Sequence, residues 1–126
     1  MSLPSVAENQ PIGHLSARTQ LLVRFVDANL HRKLSIDELA RSAMISRTHL
    51  CRLFKGDLGV SPGQYLQRRR MEEASRLLST TLMSVKQILL EVGYTDKRLF
   101  LLHFKRAHGS TPSEYRSKHP GLHGVS

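Results

Sequence analysis

The sequence has little of what marks an exported protein, a membrane protein or an enzyme. Cys51 is the single cysteine in 126 residues, so no internal disulfide forms and a reducing compartment is expected. Apolar runs end after a few residues, as at Leu99 to Leu102, far short of the roughly 20 that span a bilayer. Strand signals are missing: the β-branched residues are scattered, and no run alternates between turn residues. Met1 to Leu15 hold no charged stretch followed by an apolar one, so no secretory leader is read and the cytoplasm is the expected location, with no membrane partner. No HExxH, CxxC or glycine-rich loop after a strand occurs, and His119 and His123 fall four apart in a tail with proline and glycine. Neither catalysis, nor metal, nor a cofactor is expected.

Acidic residues are also scarce. Ten Asp and Glu stand against nineteen Lys and Arg, a formal charge of +9 with pI near 10.5. Such a chain attracts polyanions, and nucleic acid is the first partner to consider. With 40% hydrophobic residues, the length suits one compact domain or two very small ones sharing an element.

The apolar periodicity is helical throughout, and the fold class expected is all-α. Residues 1–15 read as a linker or tail and 119–126 as a second tail, with a domain over 16–118. Leu21, Leu22, Phe25, Val26 and Leu30 form the stripe of a first helix. Ser35 caps a second, with Glu38 completing a capping box over Ile36, Leu39, Ala40 and Ala43. Ser46 caps a third, from Arg47 to Leu58, whose buried side is Leu50, Leu53, Phe54 and Asp57 and which Gly59 stops. Ser61 and Pro62 open a long helix to about Thr80 that buries Tyr65, Leu66, Met71, Ala74, Leu77 and Leu78. Ser84 caps a fifth helix (Val85, Ile88, Leu89, Val92) that Gly93 ends. Asp96 caps a sixth, with Leu99, Phe100, Phe104 and Ala107 inward, and Gly109 closes it. Pro112 opens a short seventh.

The chain repeats itself. At an offset of 50, Phe54, Lys55, Gly59, Pro62 and Tyr65 meet Phe104, Lys105, Gly109, Pro112 and Tyr115, and the caps Ser46 and Asp96 coincide. In the preceding helix the offset is 49, pairing Ser35 with Ser84, Ile36 with Val85 and Leu39 with Ile88. The second copy therefore holds one extra turn residue. A short helix, a tight turn and a second helix make the helix-turn-helix plan, whose second helix enters the DNA major groove. The motifs span 35–59 and 84–109, joined by the helix over 61–80. About 19 residues at ~1.5 Å each make that helix about 28 Å long, against about 34 Å between successive major-groove faces on one side of DNA. The recognition helices, about 47–58 and 96–108, are thereby suited to adjacent major grooves. A helical protein-interaction module, its basic face docking an acidic partner, is the alternative.

The stretch LSIDELARSAMISRTHLCRLFKGDLGVSPGQYLQRRRMEEASRLL, followed by SVKQILLEVGYTDKRLFLLHFKRAHGSTPSEYR, resembles the DNA-binding domain of AraC/XylS-type bacterial transcription regulators over about Ala17 to Lys118. Gly93-Tyr94, Phe100, Phe104-Lys105, Gly109, Pro112 and Tyr115-Arg116 carry the more specific half. The resemblance implies seven helices, two motifs bridged by a central helix, double-stranded DNA and RNA polymerase as partners, an activator or other transcription-control role, and a further effector-binding or dimerisation domain on the N-terminal side.

On a helical wheel the third helix turns Thr48, Cys51, Arg52 and Lys55 away from its buried side, with Arg47 at its start. Arg52 is the leading base reader, since its fork pairs bidentately with guanine, though phosphate contact is an equal reading. Thr48 suits a thymine methyl. The sixth helix offers Lys97, Arg98, Leu101, Leu102 and Lys105 in equivalent places. In the family the place of Leu102 is often arginine, so Leu101 and Leu102 meet thymine methyls, pack on a protein partner, or leave this motif weakly engaged. Phosphate contact is assigned to Lys55 and Lys105, late in their helices, and to Ser46 and Ser84 at helix starts. The run Arg68-Arg69-Arg70, followed by Glu72 and Glu73, reads as a solvated or structural face.

Overall fold

A computed structural model describes residues 15–119; the assignments for 1–14 and 120–126 lie outside the described residues. Seven helices follow one another there, with no strand among the described residues: α1 (Ala17–Ala28), α2 (Ile36–Ser42), α3 (Arg47–Leu58), α4 (Pro62–Thr80), α5 (Val85–Glu91), α6 (Lys97–His108) and α7 (Pro112–Lys118). Every one begins after a side-chain cap that accepts a first-turn N–H, from Ser16, Ser35, Ser46, Ser61, Ser84, Asp96 and Thr111 in turn. Such caps satisfy donors that a helix start otherwise leaves orphaned. No described helix is long and apolar enough to cross a membrane.

Two cores form. Leu22, Val26, Leu39, Leu50 and Phe54 fill the first and Leu78, Ile88, Val92, Phe100 and Phe104 the second. Helix α4 serves both, giving Tyr65 and Leu66 to one and Met71, Ala74, Leu77 and Leu78 to the other. The repeat is three-dimensional. Phe54 meets Tyr65 edge-on at 5.6 Å between ring centroids, and Phe104 meets Tyr115 edge-on at 5.5 Å. Gly59 and Gly109 close α3 and α6 at φ 76° and 77°, the left-handed region where glycine carries no Cβ penalty.

Several expectations need correction. Leu21 is 60% exposed, and Val23 takes its place in the first core. Ser35 does cap α2, but the Glu38 carboxylate turns to the Arg32 guanidinium instead of closing the box. That pairing holds the Glu38 carboxyl below its ordinary range. On α6 the buried line runs Phe100, Phe104, His108, a stripe that carries Leu101 inward and leaves Leu99 43% exposed and Ala107 exposed. His108 is drawn in by the Met71 carbonyl, 3.1 Å from its Nε2, and by the rings of Phe104 and Tyr115. Asp57 is half-buried for a polar reason: its Oδ2 accepts the Ser16 amide, and hydrogen bonds, first from Thr19, hold its carboxyl below the usual range.

The two interhelical turns share one hydrogen-bond pattern. Ile45 N donates to Ala40 O and Met44 N to Arg41 O; Tyr94 N donates to Leu89 O and Gly93 N to Leu90 O. Both pairs end their helix through a left-handed residue. In the second turn that residue is Gly93, but in the first it is Met44, at φ 58° and 91% exposed. Met44→Gly removes the Cβ strain and sacrifices no packing, so it is expected to stabilise the fold by about 0.5–1 kcal/mol. A urea midpoint unchanged or lowered would contradict this.

Candidate nucleic-acid interface

Each recognition helix presents basic side chains beside small or apolar ones. On α3, Arg47, Thr48, Arg52 and Lys55 are exposed and Cys51 is half-buried; on α6, Lys97, Arg98, Leu102 and Lys105 are exposed and Leu101 is half-buried against the second core. The matching burial of Cys51 and Leu101 follows from the 50-residue register. Both lie on the shoulder of a helix whose floor is Leu50 and Phe54, or Phe100 and Phe104.

The cations divide by what already holds them. Arg32, Arg69, Arg70, Arg76 and Arg116 are tied to carboxylates or carbonyls. Arg116 in particular donates to the carbonyls of Leu78, Thr81 and Met83, fastening α7 to the end of α4. By contrast, the side chains of Arg52, Lys55, Lys97, Arg98 and Lys105 make no hydrogen bond or ion pair among the described residues. Such cations keep their full capacity for a polyanion. The Arg68–Arg70 run has the structural character expected of it. Arg69 bridges Asp27 and Glu72, Arg70 reaches the Arg32 carbonyl, and Arg68 lies 5.5 Å over the Tyr65 ring.

Ser46 and Ser84 are both exposed caps, accepting from His49 N and Gln87 N. At Ser84 the Gln87 side chain also takes the serine's own amide, at 2.8 Å. That amide is therefore already satisfied within the helix start.

One member of the site was not read from the sequence. Arg47 Nη1 lies 3.1 Å from Asp37 Oδ1 on α2, with both side chains 62% exposed. The 49-residue register of this helix pairs Asp37 with Lys86 on α5. The first head thus carries an internal ion pair where the second carries two cations, Lys86 and Lys97. Extending the repeat comparison to exposed positions of the first helix would have found it.

Comparison with known proteins decides the family. A family model described as a helix-turn-helix domain matches residues 39–118, more than half of the chain. A transcriptional regulator from Chromobacterium violaceum with an AraC-type DNA-binding domain superposes with a TM-score of 0.76 at 32% identity, over 81% of this chain and 91% of that one. The chain belongs to the AraC family. The lactose operon transcription activator of Staphylococcus xylosus is 39% identical over 77% of this chain, and the transcriptional activator AarP of Providencia stuartii 34% identical over 85%. The AraC-type chain spans 35% of the length of the first and 78% of the second. The DNA-binding domain of AdpA, solved on a target DNA, superposes with a TM-score of 0.78 at 31% identity, covering 82% of this chain and 93% of that one.

The Arg47–Asp37 pair sets up a measurable competition. An exposed ion pair is worth at most about 1 kcal/mol, so Asp37→Asn leaves the fold nearly as stable. It removes a negative charge from the first head and frees Arg47. Duplex affinity at low salt is expected to rise by about two- to fivefold, and titration of a labelled duplex reads it; a fall in affinity would show that the carboxylate orients Arg47 productively.

Proposed function

We propose that this chain is the DNA-reading domain of a transcription activator, with α3 and α6 as recognition helices in adjacent major grooves of one duplex. The observation that carries the reading is the duplicated helix-turn-helix, each copy ending in a helix with unpaired exposed cations, on a helix of 19 residues that joins them. At about 1.5 Å per residue that helix is about 28 Å long, close to one turn of DNA. The two AraC-family relatives above are both described as activators, which favours activation and contact with RNA polymerase. An effector-binding or dimerisation domain elsewhere in the native protein and a cytoplasmic location complete the proposal. The role is binding, not catalysis.

Arg52 is the principal base reader in this scheme, with Arg47 and Thr48 beside it. In the second head Lys97 and Arg98 supply the polar contacts. Leu102, 52% exposed, meets a thymine methyl, and Leu101 and Cys51 line the shoulders. Lys55, Lys105 and the helix starts at Ser46 and Ser84 hold phosphates. A docking module for an acidic protein shares the charge but predicts no preference for duplex sequence.

Two measurements test this. Raising salt from 50 to 200 mM is expected to cost about 10³-fold or more in affinity if six or more phosphates are neutralised; a flat salt response with no duplex preference would defeat the proposal. Arg52→Ala is expected to cost about 1–3 kcal/mol and to relax preference at one base, whereas Arg98→Ala weakens protection of the second half-site only. Site selection and footprinting on the purified variants read both, and an unchanged selected sequence removes Arg52 from the base readers.

A further inference from the structure

The two cores share α4, and the seam between them mixes polar and apolar side chains. On one side a cleft of about 290 Å³ is lined by Lys33, Leu66, Arg70, Gly93, Tyr94 and His103. On the other lie Asp27, His31, Arg69, Glu73 and Glu91. Leu66 and Leu99 line the first cleft and Leu30 the second beside these polar groups. What fixes the seam is a small set of contacts around Arg70.

The Arg70 Nη2 donates to the Arg32 carbonyl at 2.6 Å. That carbonyl belongs to a pinned residue, because the Arg32 side chain is held by Asn29 Oδ1 and by Glu38. The same guanidinium lies over the turn of the second motif. A Cβ on Gly93 would stand 2.9 Å from Arg70 Nη2, 3.0 Å from its Cζ and 2.5 Å from the Leu30 carbonyl oxygen. The turn of the second motif thus touches the loop after α1 only because residue 93 has no side chain. The Arg70 Nε is buried there with no partner, and leaving such a donor unmet is costly. Burial there pulls the Arg70 pKa below its ordinary value, so this position carries a desolvation cost.

We infer that Arg70 is a positioning residue: lying between the Arg32 carbonyl and Gly93, it fixes the angle between the two helix-turn-helix units and so the half-site spacing the protein accepts. This rests on the DNA-reading function proposed above. Arg70 touches neither recognition face. It acts by pre-organising two heads that otherwise order only on binding.

The test separates the angle from the affinity. Spin labels at Thr48→Cys and Arg98→Cys, equivalent positions of the two heads, are placed in a Cys51→Ser background and their distance distribution is measured without DNA. A narrow distribution is expected with Arg70 and a broadened one with Arg70→Met, which keeps the stem and removes the donors. On the selected duplex, one base pair inserted between the half-sites is expected to cost the native protein about tenfold or more in affinity, and Arg70→Met less than about threefold, since a loose joint follows the new spacing. Arg70→Lys, with one donor group and no planar fork, is expected to fall between them, and it decides the matter should Arg70→Met not fold. Native-like widths and spacing penalties in the folded variants, or a native protein indifferent to spacing, would overturn the inference. Failure of the native protein to bind any duplex would instead strike the proposed function, while the distances in free protein still judge Arg70.

Discussion

Helix α4 belongs to two cores at once, and the rest of the architecture answers to that constraint. Tyr65 and Leu66 must face the first core, and Met71, Ala74, Leu77 and Leu78 the second. Between them Arg68 lies over the Tyr65 ring while Arg69 and Arg70 bond Asp27, Glu72 and the Arg32 carbonyl, so the middle of the helix carries polar struts. A capping box from Ser61 and Gln64, with Pro62 buried in the first turn, starts the helix in register. Arg116 grips the carbonyls at its far end. Each unit is therefore anchored to one end of a common rod, and the placement of both recognition helices follows from the packing of Phe54 on Tyr65 and of Phe104 on Tyr115.

Most of this was legible in the sequence because local signals and the repeat agree. The apolar period reveals the helices, caps or prolines start six of them and glycines stop three, and the 50-residue register places both recognition helices. The exposed candidates Arg52, Lys55, Arg98 and Lys105 follow from the same wheel. What escaped depends on neighbours distant in the chain. Leu99 and Leu101 flank Phe100 alike on a wheel, and the second core takes Leu101 and leaves Leu99 43% exposed. Glu38 sits at the right spacing for a capping box, yet Arg32 outcompetes the serine amide because a charged fork is the stronger partner. Met44 gave no warning of its left-handed backbone. Its glycine counterpart shows what the turn requires.

The two heads are duplicates in backbone and differ in chemistry. The first offers Arg47, Thr48 and Arg52, with Asp37 drawing Arg47 into an ion pair. The second has Lys86 opposite that aspartate, Lys97 and Arg98 at the helix start, and leucines where polar readers would sit. Hydrogen-bonding forks discriminate between bases, whereas point charges and methyl contacts mostly hold the backbone or sense thymine. On the proposed function a division of labour is expected, in which the first head supplies more of the specificity and the second more of the electrostatic grip.

Such a division has value only if the heads are held in a fixed relation. A weakly discriminating second head adds selectivity when the first, once seated, determines where the second must land. With a loose joint the second head would grip whatever phosphate lay within reach, and its leucines would test no particular base. On this proposal the seam around Arg70 and Gly93 is the link through which a local helix packing becomes a choice of DNA sequence. It does so because effective concentration at the second half-site falls as the joint loosens.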